Sequence, residues 1–300
     1  MQKTVDNSVG HLITRCPGIA VLLCLFFSPF PAAAEMIEIK LPTGITASAN
    51  FHQGLPSRPA VLLLHGFLQT HHSTPLSSLA SNLESKGYTV LNPTISLNIN
   101  QRTRSMACEA VHTHTMEDEV AEVSYWVNWL SKRGYHNIVP VGFSSTGNIE
   151  ILLYLSRGSH PAIKQIILTS LNPMSSGNKN RKENHNSPGV KRRVDGKKLE
   201  KFSLGYCKNN YAATVNSYQS YSSYNENRIL ELIKQMPVPV EVILGTDDTI
   251  LPVNWPSRIK ALKTRAQITI INKANHFFDG TSEFDLAEEV ENALKKLPAQ

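Results

Sequence analysis

Cysteine is scarce in this chain of 300 residues: there are four, and two of them, Cys16 and Cys24, sit in an N-terminal stretch unlike the rest. A disulfide-built scaffold is therefore excluded, and the fold must rest on a hydrophobic core. Internal repeats are lacking. Charge is modest, at 18% of residues against 41% hydrophobic ones, so the chain is not disordered in bulk. The net charge of +6 comes mostly from one tract, "NKNRKENHNSPGVKRRVDGKKLEK", where nine Lys and Arg stand against three acids between Lys179 and Lys201. No apolar periodicity runs through it, which predicts a solvated or mobile loop. No aromatics are interleaved with these charges, so nucleic acid is not an expected partner.

A spanning segment is lacking too. The apolar run "GIAVLLCLFF" is closed by Pro29 and Pro31 and falls below the ~18 residues a membrane helix needs. Lys3 and Arg15 precede it, and "PFPAAAE" sets small residues at Ala32 and Ala34. Basic, apolar and small segments in that order predict a secretory signal peptide over residues 1–34, cleaved before Glu35, and a periplasmic or secreted product with no stable membrane span. A lipid anchor at Cys24 fits poorly, because Leu23 stands where a small residue is required. Cleavage leaves Cys108 and Cys207 as one pair in a compartment that permits disulfides. A bridge and two buried free thiols both fit the sequence.

In the remaining chain, "MIEIKLPTG" and "ITASANFHQG" alternate apolar and polar residues around a turn, the pattern of an antiparallel hairpin. "AVLLLHG" then runs apolar without alternation, as a strand buried on both faces does. Helical and strand patterns follow in turn: "TPLSSLASNLESKGY", "TVLNPTIS", Met116 to Arg133, "NIVPVG", "GNIEILLYLSR" and "AIKQIILTS". After Leu171 the alternation stops, and it resumes near Gln235 with "VPVEVILG", "NWPSRIKALKTR", "AQITIIN" and "SEFDLAEEVENALKKL". Strands alternating with helices predict an α/β fold with a mostly parallel sheet, helices on both faces, and core segments 35–170 and 236–300. Residues 171–235 are expected to form an insertion above the sheet.

Ligands of a parallel sheet bind along the carboxyl edge of its strands. Three strand ends there carry chemistry: "VGFSSTGN" with Ser144, "GTDDTILP" with Asp247 and Asp248, and "NKANHFF" with His276. An activated serine needs a hydroxyl, an imidazole to take its proton and a carboxylate to orient the imidazole. These residues occur in the order Ser, Asp, His. From Ala60 onward the chain resembles the α/β-hydrolase superfamily, through "LLLHGF", "VGFSSTG", "ILGTDDTILP" and "ANHFF". The resemblance implies a Ser144–Asp248–His276 triad, an oxyanion hole opened by "HG" at His65 and Gly66, no cofactor, and a variable cap at residues 171–235.

Two serines compete for the nucleophile. The elbow favours small residues two before and two after it: Ser144 has Gly142 and Thr146, while Ser145 has Phe143 and Gly147. Ser144 also stands three residues after Val141, the spacing usual for that family. It is the expected nucleophile, with Thr146 as the departure from pattern. Asp248 is preferred over Asp247 for the acid. The backbone N–H groups of Phe67 and Ser145 are the expected oxyanion donors.

"HHS" with His71 and "CEAVHTH" with His112 and His114 suggest a metal at first sight, but no fourth ligand has a diagnostic spacing. With His65, these residues are expected to line the pocket mouth or to pack the long loop after the fourth strand, and no metal is assigned. Tyr206, Tyr211, Tyr218, Tyr221 and Tyr224 recur at intervals that suggest a helical face, packed on the core opening or serving as an aromatic lid. The functional expectation is an exported serine hydrolase acting on a small-molecule or lipid-like ester. A thioesterase, amidase or acyltransferase uses the same residues. A non-catalytic binding or scaffold protein on the same fold is the rival from another class.

Overall fold

The computed structural model describes residues 34–158, 160–174, 193–194 and 196–297. The expected signal peptide, apart from Ala34, and most of the basic tract lie outside the described residues. The described residues open with β1 (Glu35–Lys40), β2 (Thr46–His52), β3 (Ala60–Leu64), α1 (Leu76–Ser85), β4 (Thr89–Thr94) and α2 (Met116–Lys132). It continues through β5 (Ile138–Phe143), α3 (Ser144–Ser156) and β6 (Ile166–Thr169). Next come β7 (Arg193–Val194), β8 (Lys197–Leu204), β9 (Cys207–Thr214), α4 (Val215–Ser222) and α5 (Glu226–Lys234). β10 (Val240–Gly245), α6 (Trp255–Lys260), β11 (Ala266–Ile271) and α7 (Ser282–Lys295) complete it.

The main sheet has eight strands in the order β1-β2-β4-β3-β5-β6-β10-β11. β2 pairs antiparallel with β1 and β4, and every pair from β4 to β11 is parallel. The continuous apolar run of β3 shows why the sheet must be covered on both sides. Leu62 and Leu64 join a core with α2, α3 and α5, whereas Val61 and Leu63 join another with α1 and α7. Each such leucine, fully removed from water, contributes about 1.5 to 3 kcal/mol. α2 is started by a capping box between Thr115 and Asp118, and it turns Val120, Val123, Trp126 and Val127 inward.

Three local expectations are corrected. The basic tract is not all loop, since Lys197 to Lys201 belong to β8 of a second sheet, β7-β8-β9. The strand forms because Leu199 is buried and β9 supplies an antiparallel partner. The tyrosines do not share one helical face: Tyr211 lies on β9, Tyr206 in the turn before it, and only Tyr218 and Tyr221 on α4. Finally, α3 begins at Ser144 itself, three residues before the expected Gly147.

Candidate active site

The sheet delivers Ser144 directly from β5 into α3, with no intervening loop. Phe143 is extended at φ −121°, and Ser144 turns to φ +60°, a left-handed conformation that costs a residue with a Cβ about 1 to 3 kcal/mol. Packing holds the turn. A Cβ on Gly147 would come within 2.3 Å of the Leu64 carbonyl oxygen, so α3 can pass β3 this closely only with glycine there. Asn148 Nδ2 donates to the carbonyls of Ser144 and, at 2.9 Å, Thr169. The crowded positions are thus the second residue before Ser144, where a Cβ on Gly142 would come within 2.6 Å of Asn148 Oδ1, and the third after it, and the chain has glycine at both. Thr146 is buried without occupying either.

The turns after β10 and β11 are stitched together, with Thr246 N–H donating to the Ile271 carbonyl at 3.0 Å and Asp247 N–H to that of Ala274 at 2.9 Å. This brings Asp248 to His276, whose own carbonyl accepts from Ser170 Oγ at 2.7 Å. His276 Nδ1 lies 2.7 Å from Asp248 Oδ2, and Nε2 lies 2.8 Å from Ser144 Oγ. A carboxylate facing Nδ1 selects the tautomer with its proton there, which leaves Nε2 to accept from the serine. Asp248 Oδ1 is satisfied by Ile250 N–H at 2.9 Å, and the acid's side chain has no solvent exposure. Asp247 instead accepts from Thr246 Oγ1 and faces solvent. Ser145 is buried, and its side chain makes no hydrogen bond to His276 among the described residues. Asn172, which sequence reasoning missed, follows β6 and sets its Oδ1 3.2 Å from Ser144 Oγ.

Two backbone donors adjoin Ser144. The first turn of a helix leaves its N–H groups without intrahelical acceptors, and Ser145 stands there. Gly66 passes so close that a Cβ on it would be 3.1 Å from Ser144 Cβ. The Gly66 N–H is spent on Gln69 Oε1 at 3.2 Å, whereas that of Phe67 has no acceptor among the described residues. The Phe67 ring is buried against Tyr206, Tyr211 and Tyr221, with centroids 5.7 to 5.8 Å away.

His65, His71, His112 and His114 are all buried, so they pack loops and do not line an open mouth. His71 Nδ1 bonds Thr94 Oγ1. His112 stacks on Tyr211 and bonds His114, whose Nδ1 reaches the Tyr221 hydroxyl at 2.6 Å; that hydroxyl donates to Glu119. Burial, helped by the charge of His114, lowers the pKa of His112 to about 4, and burial with neighbouring positive charge takes His71 to about 4. Glu150, buried beside Glu119, is pushed well above the usual carboxylate range by burial and by that neighbour. Cys108 and Cys207 form a disulfide with Cα atoms 5.7 Å apart, tying the start of β9 to the loop after β4. No three His, Cys, Asp or Glu side chains gather into a metal-holding group among the described residues. A groove of about 430 Å³ between α1 and α7, lined by Ser77, Ser81, Asn82 and Phe284, includes none of the site residues.

No protein-family model matches the sequence, and no curated protein matches it. Solved structures do. Est1E from Butyrivibrio proteoclasticus superposes with a TM-score of 0.62 at 13% identity, over 87% of this chain and 99% of that one. The α/β hydrolase GrgF from Penicillium sp. sh18 gives 0.68 at 15% identity, over 89% and 99%. The chain has the α/β-hydrolase fold. A thioesterase domain from the curacin biosynthetic pathway shares it, with a TM-score of 0.60 at 14% identity over 89% of this chain and all of that one. Identities this low speak for the α/β-hydrolase fold alone, and the chemistry has to be argued from the side chains.

Proposed function

We propose that the protein is an exported serine hydrolase that cleaves an ester-type acyl bond through an acyl-enzyme. The observation that carries this reading is the continuous relay from Ser144 Oγ through His276 to Asp248, at 2.8 and 2.7 Å, beside two backbone N–H groups with no acceptor among the described residues. Ser144 attacks the acyl carbonyl as His276 Nε2 takes its proton, and Asp248 stabilises the imidazolium. The N–H groups of Phe67 and Ser145 hold the oxyanion. Collapse expels the alcohol, protonated by His276, and water activated by the same imidazole releases the acid. The chemistry needs no cofactor. An ester is the default because an alkoxide leaves more readily than an amine. The thioesterase neighbour makes an acyl thioester the second substrate to try.

Residues 171–235 act as the cap in this reading. Export is supported by two features. Among the described residues the first strand begins at Glu35, the residue that cleavage would expose. The Cys108–Cys207 bond suits an oxidising compartment.

A fluorophosphonate probe with peptide mapping is the test. An adduct on Ser144 that Ser144→Ala abolishes is the expected result. No adduct in folded protein turns the reading to the non-catalytic alternative, and retention of Met1 to Ala34 in the intact mass of exported protein refutes the cleavage site.

A further inference from the structure

Behind the loop that carries Phe67 lies a buried guanidinium. Arg102 is 4% exposed, and among the described residues no carboxylate pairs with it directly. Its donors go to main chain instead. Nε reaches the Ile95 carbonyl at 2.7 Å, Nη1 that of Arg104 at 3.0 Å, and Nη2 that of Gln69 at 2.6 Å. Nη2 also lies 3.2 Å from His65 Nε2. Burying such a charge costs several kcal/mol unless its hydrogen bonds are fully made, so a cation spent on carbonyls of two loops needs a reason.

The contacts supply one. His65 and Gln69 bracket Gly66, Phe67 and Leu68, so the guanidinium grips both ends of the segment whose middle residue offers its amide next to Ser144. His65 relays the grip inward. Its Nδ1–H donates to the Gly66 carbonyl at 2.9 Å, and its Nε2 accepts from Ile95 N–H at 3.0 Å as well as from Arg102. That pattern requires a neutral imidazole. Burial, reinforced by the charge of Arg102, holds the His65 pKa down to about 3. At its far end the segment is fixed by Met106 N–H, which donates to the Leu68 carbonyl at 2.9 Å.

We propose that Arg102 is the positioning residue of the oxyanion loop, fixing the Phe67 amide toward Ser144 by holding His65 and Gln69 from behind. This rests on the serine-hydrolase reading. Arg102 touches no reacting atom, so its removal displaces a donor without deleting one.

The test compares Arg102→Gln and Arg102→Lys with the wild type on a p-nitrophenyl ester, with active sites titrated and melting curves recorded. Arg102→Gln is expected to lower kcat per titrated site about 10- to 100-fold, the scale of a misplaced or weakened oxyanion donor. KM stays within about threefold, because the lost interaction belongs to the transition state. Affinity for a boronic acid, which forms a tetrahedral adduct on Ser144, falls by the same factor as kcat. Arg102→Lys keeps the charge and part of the grip, and recovers part of the loss. A residue that only supports the fold lowers the melting temperature and the number of active sites but leaves kcat per site alone; that outcome overturns the proposal. Where Arg102→Gln does not fold, Arg102→Lys decides, and wild-type kcat per site in that variant overturns it equally. A wild type that never labels at Ser144 refutes the serine-hydrolase reading and the proposal with it. Labelling at Ser144 together with a kcat per titrated site that neither substitution changes refutes Arg102 alone.

Discussion

Two histidines flank Ser144, and their partners have opposite charge. His276 faces the carboxylate of Asp248, whereas His65 faces the guanidinium of Arg102. A carboxylate stabilises the imidazolium and so makes proton uptake from serine feasible. Burial, reinforced by a guanidinium, opposes it, and His65 stays neutral across the physiological range. One ring is therefore able to move a proton, and the other is fixed as a two-ended hydrogen-bonding strut. The same side chain becomes a base or a beam according to what lies behind it.

Substitutions on the His276 side should produce the largest losses. Ser144→Ala and His276→Ala are expected to reduce ester hydrolysis by about 10⁴- to 10⁶-fold, measured as kcat/KM, with melting temperature unchanged. Asp248→Asn should cost about 10³- to 10⁴-fold, since the amide orients the ring less well and cannot stabilise its charge. If Asp248→Asn proves silent, Asp248 is not what distinguishes the two histidines.

In the scaffold around both histidines the losses should appear as stability. Removing the disulfide by Cys108→Ser with Cys207→Ser releases a loop of 99 residues and is expected to cost up to about 4 to 5 kcal/mol in denaturant unfolding. Gly147→Ala should cost about 1 to 3 kcal/mol or prevent folding, because the added methyl meets the Leu64 carbonyl. Thr146→Gly is the control: activity should stay unchanged or rise, with about 0.5 to 1 kcal/mol lost to helix propensity.

The last effect is one of pH and vanishes at neutral pH. His112 has its pKa lowered to about 4 in the native state, against 6.5 unfolded, so the unfolded chain binds a proton between those values that the native protein refuses. The stability it supports is present above pH 6.5 and is lost as pH falls toward 4. His112→Gln removes that proton, and its unfolding free energy should decline less steeply over this window, by up to about 1.4 kcal/mol per pH unit. Parallel curves for the two proteins refute the assignment.

The side of the molecule proposed to move protons was legible in the sequence, and the side that braces it was not. Ser144, Asp248 and His276 each follow a strand whose apolar run is plain, so local pattern and chain order were enough to bring them forward. Arg102, Glu119 and Glu150 carry no such mark. Arg102 sits in a polar loop, and Glu119 and Glu150 lie on helices where a charged residue ordinarily faces water. Their burial is decided by long-range packing that no short window contains. The crowding at Gly147 was hidden for a related reason, since it comes from β3, about 80 residues away in the chain. The hairpin of β8 and β9 was missed because its basic residues alternate with only a few apolar ones.

The surroundings of the Phe67 ring bear on protein engineering. Its backbone belongs to the hydrolase core, but its side chain is gripped by Tyr206, Tyr211 and Tyr221, and all three come from the stretch between β6 and β10. A chimera that exchanges this stretch for another in search of new selectivity also removes the walls of the socket that seats a proposed catalytic amide. Selectivity and turnover here are not interchangeable cassettes, and a graft keeps its rate only if it brings a new seat for Phe67.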